Sequence, residues 1–135
     1  MNAPTTTNQY LLLFRGPEWD KGMSPAEIQD VLDQAMAWFD GLNRRGIVRG
    51  THALRRSGCI VSDERAQMVT DGPFAESKEA IGGYLLLEVD SLDEAIAAAK
   101  GYPGLDRGIT IEIRPISTEC PIAARLREEL TAATA

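Results

Sequence analysis

The chain has 135 residues, 44% of them hydrophobic and 25% charged, the size and composition of one globular domain that buries its own core. Twenty acidic against fourteen basic residues leave a net charge of minus 6, and no Lys/Arg cluster offsets this locally, so nucleic acid is not expected as a direct partner. Nothing approaches the ~20 apolar residues of a membrane span, and polar residues 1–8 lack the charged-then-apolar order of a signal peptide, so we expect a cytoplasmic protein with a disordered tail over 1–8.

Gln9 to Arg15 is an apolar run of strand length, stopped by Gly16 and Pro17. Ser24-Pro25-Ala26-Glu27 then has the form of a capping box, with Met23 and Ile28 placed for a hydrophobic staple. Ile28, Val31, Leu32, Ala35, Phe39 and Leu42 recur at steps of three and four, which predicts an amphipathic helix with Trp38 and Met36 in the core. Arg44 and Arg45 suit its negative end, and Gly46 supplies a left-handed C′ residue.

Ile47 to Leu54 and Gly58 to Ser62 read as a strand or a bent pair of strands with a bulge at Gly50, and Gln67 to Thr70 as a short strand. Tyr84 to Val89 forms the next strand, Ser91 to Glu94 repeats the helix start ahead of Ala95 to Lys100, and Ile109 to Arg114 alternates as a strand with one polar face. Beyond Pro115, Ile122, Leu126 and Leu130 at four-residue spacing predict a short helix. The expected organisation is a domain over 9–116 and a helical extension over 117–135.

Tyr10-Leu11-Leu12-Leu13 echoes Tyr84-Leu85-Leu86-Leu87, and each is followed by Ser-x-x-Glu, the pattern of an internal duplication. Two βαβ units with right-handed crossovers give an α+β, ferredoxin-like fold: a four-stranded, largely antiparallel sheet with both helices on one face. The first strand is apolar at both parities, so the other face also needs cover. A second copy is the simplest cover, and we expect a sheet-to-sheet homodimer.

Val69-Thr70-Asp71-Gly72-Pro73-Phe74-Ala75-Glu76-Ser77-Lys78-Glu79, followed by Gly82-Gly83-Tyr84, resembles the signature of the DGPF branch of the YCII-related family, and the resemblance extends over about residues 9–116. It implies a dimeric α/β barrel built from ferredoxin-like subunits. It also implies a small-molecule site with a His/Asp pair, and a link to sigma factors through gene neighbourhood in the family. His52 stands in a different sequence context from the family histidine, so the pair does not transfer directly.

Asp71 at a strand end before Gly-Pro serves either as a turn builder or as a pocket carboxylate. Pro73 and Phe74 complete the turn, and Glu76, Lys78 and Glu79 form a charged loop that either orients a polar ligand or is simply solvated. His52, the sole histidine, is either a general base oriented by Asp71 or a hydrogen-bonded strand residue. Trp19 either packs at the helix start or walls a pocket. Cys59 and Cys120 lack metal or redox spacing and are expected to be free thiols. No phosphate loop, nucleophile elbow or zinc motif appears, so no metal or organic cofactor is expected. Three readings follow: a dimeric small-molecule-binding protein of accessory or regulatory type, an acid/base lyase or isomerase using Asp71 and His52, or a sigma-factor-linked interaction partner.

Overall fold

The computed structural model describes residues 8–63, the backbone of 66–69, and residues 80–134. In chain order the elements are β1 (Asn8–Arg15), α1 (Pro25–Arg44), β2 (Val48–Ala53), β3 (Gly58–Val61), β4 (Ala66–Val69), β5 (Ile81–Val89), α2 (Leu92–Lys100), a 3-10 turn (Pro103–Arg107), β6 (Thr110–Pro115) and α3 (Pro121–Thr134). Four strands form a sheet in the order β2-β5-β1-β6, with every neighbouring pair antiparallel, while β3 and β4 pair separately as a hairpin. This is the ferredoxin-like α+β arrangement expected from the two βαβ units, with the hairpin inserted between them.

Strand alternation sorts the side chains. Tyr10, Leu12, Leu85, Leu87 and Val89 are buried on one face, where Ala95, Ala98 and Ala99 of α2 and Leu42 of α1 complete the core. The register sets Leu12 between Leu85 and Ile113, so aliphatic side chains meet across three central strands. Three small residues on α2 let that helix lie close to the sheet. The opposite face carries Leu11, Leu13 and Leu86, half-buried, within a polar rim that includes the Arg15–Glu112 pair at 2.8 Å and the Arg49–Glu88 pair at 3.5 Å. No helix covers this face among the described residues.

The helix signals act as read. The Ser24 hydroxyl accepts from the Glu27 N–H and the Glu27 carboxylate accepts from the Ser24 N–H, at 3.2 and 3.0 Å, and Gly46 takes a φ of +72°. Gly50 lies at the bulge, where the β2–β5 register shifts between Val48 and Gly50. The apolar face is narrower than expected: Met36 is 57% exposed and Leu32 44%. The buried stripe of α1 runs through Val31, half-buried Ala35 and Trp38, and Leu42, and Met36 lies about 120° round the helix from Leu42 at 3.6 residues per turn. Trp38 does enter the core, donating its indole N–H to the Ala98 carbonyl at 2.8 Å and meeting Phe14 and Tyr102 edge to face. Both cysteines are free and exposed.

Candidate functional site: a cleft at the end of the sheet

Where β1 leaves the sheet and β5 enters it, backbone geometry opens a cleft. Gly16 adopts a φ of +143°, and a Cβ there would stand 2.8 Å from the Gly108 carbonyl, so the chain turns out of β1 at a point where only glycine fits. Gly82 and Gly83, the second and third residues of β5, lie directly beside the end of β2 and carry no side chains. The resulting cleft has a volume of about 250 Å³ and is open on one side. Its lining comes from Phe14 to Trp19, from Thr51 to Arg56 and from the start of β5, closed by Tyr102 and Ile109.

By alternation the lining falls into two groups. Phe14, Thr51, Ala53 and Gly83 belong to the helix-covered face, whereas His52 and Tyr84, paired across β2 and β5, belong to the open face. The two glycines place no side chain between the groups. On the open face the His52 Nδ1 lies 2.6 Å from the Tyr84 hydroxyl, and their rings are 5.6 Å apart. With its proton on Nε2 a neutral imidazole accepts the phenol O–H at Nδ1; with the proton on Nδ1, or as an imidazolium, it donates from Nδ1 to the phenol oxygen. Either way the pair holds the ring and leaves Nε2 for a ligand.

On the helix-covered side Phe14 joins an aromatic cluster with Trp38 and Tyr102. Tyr102 meets Phe14 at 5.0 Å and Trp38 at 5.2 Å, and its ring lies where a Cβ on Gly104 would come within 2.5 Å. Burial pushes the Tyr102 phenol above its ordinary value, so it stays protonated at neutral pH. Arg56 is anchored, with Nε 3.2 Å from Glu18 and a longer bond to the Gly16 carbonyl. Thr51 donates to the Tyr84 carbonyl.

Of the residues singled out in the sequence, His52 and Trp19 stand in this lining. Trp19 is half-buried and contributes to the wall of the cleft. Asp71, Pro73, Phe74, Glu76, Lys78 and Glu79 lie outside the described residues. Ala80, the first described residue after that segment, accepts a hydrogen bond from Gly16 in the cleft wall at 3.1 Å. Tyr84, Tyr102 and Arg56 were not foreseen. Tyr84 had a signal, since strand parity opposite the buried Leu85 places it on the face of its cross-strand neighbour. Tyr102 and Arg56 lie outside the regular elements, where no period exists to read. Among the described residues no group of three His, Cys, Asp or Glu side chains is placed to hold a metal ion, and no helix is long and apolar enough to cross a membrane.

Fold and cleft together define a ferredoxin-like α+β domain with a small, partly aromatic pocket at one end of its sheet. The YCII-related domain model matches residues 10–119, and the chain belongs to that family. An uncharacterised protein of Rhizobium meliloti (strain 1021) is 38% identical over 55 residues, which are 40% of this chain and 44% of that protein, so the match spans less than half of its relative. A solved structure of 5-chloro-2-hydroxyhydroquinone dehydrochlorinase from Burkholderia phenoliruptrix AC1100, in complex with 2,5-dihydroxybenzoquinone, is similar over 82% of this chain and 95% of its own, with a TM-score of 0.47 and 13% identity.

Proposed function

We propose that the protein binds a small molecule in this cleft, as an accessory or regulatory homodimer, with the His52–Tyr84 pair as the polar contact. The observation that supports this most is the conjunction of a cleft of about 250 Å³ with a hydrogen-bonded imidazole and phenol in its wall. The volume decides the class of ligand. A dry cavity of ~150 Å³ accepts benzene and drug-sized ligands fill about 300–1,000 Å³, so a metabolite of roughly ten heavy atoms suits this one. The homodimer reading is supported by the half-buried Leu11, Leu13 and Leu86 on the face that also carries His52 and Tyr84. A second copy laid on that face would shield the pair from water.

A second reading, acid/base catalysis of the lyase or isomerase type, is favoured by the short His52–Tyr84 contact. In it His52 exchanges a proton with the substrate at Nε2 while Tyr84 holds Nδ1. Asp71 remains a proposed carboxylate on the strength of the sequence.

The test is a thermal-shift screen of small metabolites against wild type, Tyr84→Phe and Asp71→Asn, since a ligand at a hundred times its Kd adds roughly 2.7 kcal/mol to stability. A compound that stabilises wild type and loses its effect in folded Tyr84→Phe supports binding at the pair. Turnover of that compound, with a pH profile abolished in His52→Gln, selects the catalytic reading. If no compound shifts wild type, the binding proposal falls.

A further inference from the structure

Resting on the homodimer reading above, we infer that α3 pairs with α3 of the second copy, the two helices running antiparallel about a two-fold axis at Leu126.

No residue of α3 is buried, and Ala124 alone is half-buried among its described residues. Isolated helices shorter than ~12–15 residues are marginal in water, so a helix of 14 residues needs a surface to pack on. Its apolar stripe is Ile122, Leu126 and Leu130, each more than half exposed. The YCII-related match ends at residue 119, so α3 lies outside the region shared with the family. The helix follows β6, an edge strand of the sheet, and therefore starts at the rim of the uncovered face on which the second copy is proposed to lie. The Ile116 N–H bonds the Gln9 carbonyl at 2.8 Å, which fixes the root of this segment to β1.

Charge decides what the stripe meets. At about 100° per residue, Arg125 and Glu129 lie about 100° and about 60° to one side of Leu126, with Arg127 about 100° to the other. A two-fold axis perpendicular to the helices sets each flank against its own copy. Ile122 then faces Leu130 of the second copy, Leu126 meets its counterpart, and Arg125 comes within about 3 Å, along the helix direction, of Glu129 of the second copy. Two Arg–Glu pairs form in this way. Arg127 on the other flank is held by Glu119 of its own chain at 2.6 Å, which offsets repulsion between the two copies of Arg127. A parallel pair would instead set both Arg125 and Glu129 beside Arg127, which is already engaged. Three aliphatic side chains a side fall far short of a standard interface of ~1,600 Å². The sheet contact compensates by holding the two helices in one molecule, at an effective concentration on the order of millimolar.

The experiment is disulfide trapping in the full chain with the exposed Cys59 and Cys120 replaced by Ser. Cys120 accepts hydrogen bonds from the Ala123 and Ile122 N–H groups at the start of α3, and Ser is a preferred residue there, so the helix start is kept. Helix axes ~8–10 Å apart bring facing Cα atoms within the ~4.4–6.8 Å that a disulfide needs. In a glutathione redox buffer, Leu126→Cys should form a covalent dimer about tenfold faster than Glu128→Cys, which sits about 160° away on the helix. Ile122→Cys mixed with Leu130→Cys should give the mixed dimer in preference to either dimer of one kind. In the Leu126→Cys chain, Arg125→Glu or Glu129→Arg alone should slow trapping about fivefold at low salt, the worth of two exposed ion pairs. Mixing these two variants should restore the rate. Neither can pair positions 125 and 129 within one helix, so the restoration reads contact between copies.

Light scattering of the reduced protein keeps the two readings apart. A monomer overturns the homodimer and the α3 pair together. The α3 pair alone is overturned by a dimer in which Leu126→Cys is trapped no faster than Glu128→Cys. It is likewise overturned if Ile122→Cys and Leu130→Cys each prefer their own kind, or if the mixed charge variants are trapped as slowly as each by itself.

Discussion

Gly16 shows how one residue shapes the site. Its φ of +143° is reached readily by glycine alone, and a Cβ at that position would meet the Gly108 carbonyl at 2.8 Å, a backbone atom that cannot rotate aside. Gly16→Ala should therefore destabilise the fold by about 1–3 kcal/mol, the range for backbone strain and overpacking. Urea unfolding would measure it, and a loss below ~0.5 kcal/mol would show that the turn relaxes. The Gly16-Pro17 stop was legible in the sequence because turn chemistry is local. The pairing of His52 with Tyr84 was not, since the residues are 32 positions apart and only the β2–β5 register makes them neighbours. Asp71 was the leading candidate by motif, yet a local motif describes a turn and a pocket carboxylate in the same letters.

At the scale of elements, α1 and α2 begin as their sequences dictate. Ser24 and Ser91 each accept from the N–H three residues on, and Glu27 closes the first box. Ser24→Ala should cost about 1 kcal/mol, measured by chemical denaturation near neutral pH. The hydrogen bonds from Ser24, its backbone N–H foremost, hold the Glu27 carboxyl below its ordinary value of 4.5. A depressed folded value stabilises the helix above pH 4.5, and that support is lost as pH falls through the depressed value. The stability gap between wild type and Glu27→Gln should therefore shrink in acid, and a gap that widened below pH 4.5 would contradict the cap. α3 behaves differently. Ile122, Leu126 and Leu130 lie on a helix, as their spacing predicts, but all three are more than half exposed. Periodicity states that a face is apolar; it does not name what that face meets.

For the molecule as a whole, the sheet has one face under helices and one without. The uncovered face is apolar at its centre, with Leu11, Leu13 and Leu86, and is edged by the Arg15–Glu112 and Arg49–Glu88 pairs. A two-fold contact needs such a self-complementary surface. The proposed homodimer predicts twice the chain mass in light scattering and a shift to monomer for Leu86→Glu, which buries a charge at the centre of the contact. A wild-type monomer at micromolar concentration would refute it. By itself the sequence determined the strands and helices, their order and the ferredoxin-like class, because apolar period, caps and turns act within a few residues. Only the tertiary structure decided that Met36 faces water, that β2 and β3 part into separate sheets, and that Trp19, His52, Tyr84 and Tyr102 share one cleft. Those outcomes depend on register and packing between segments far apart in the chain, which no local pattern encodes.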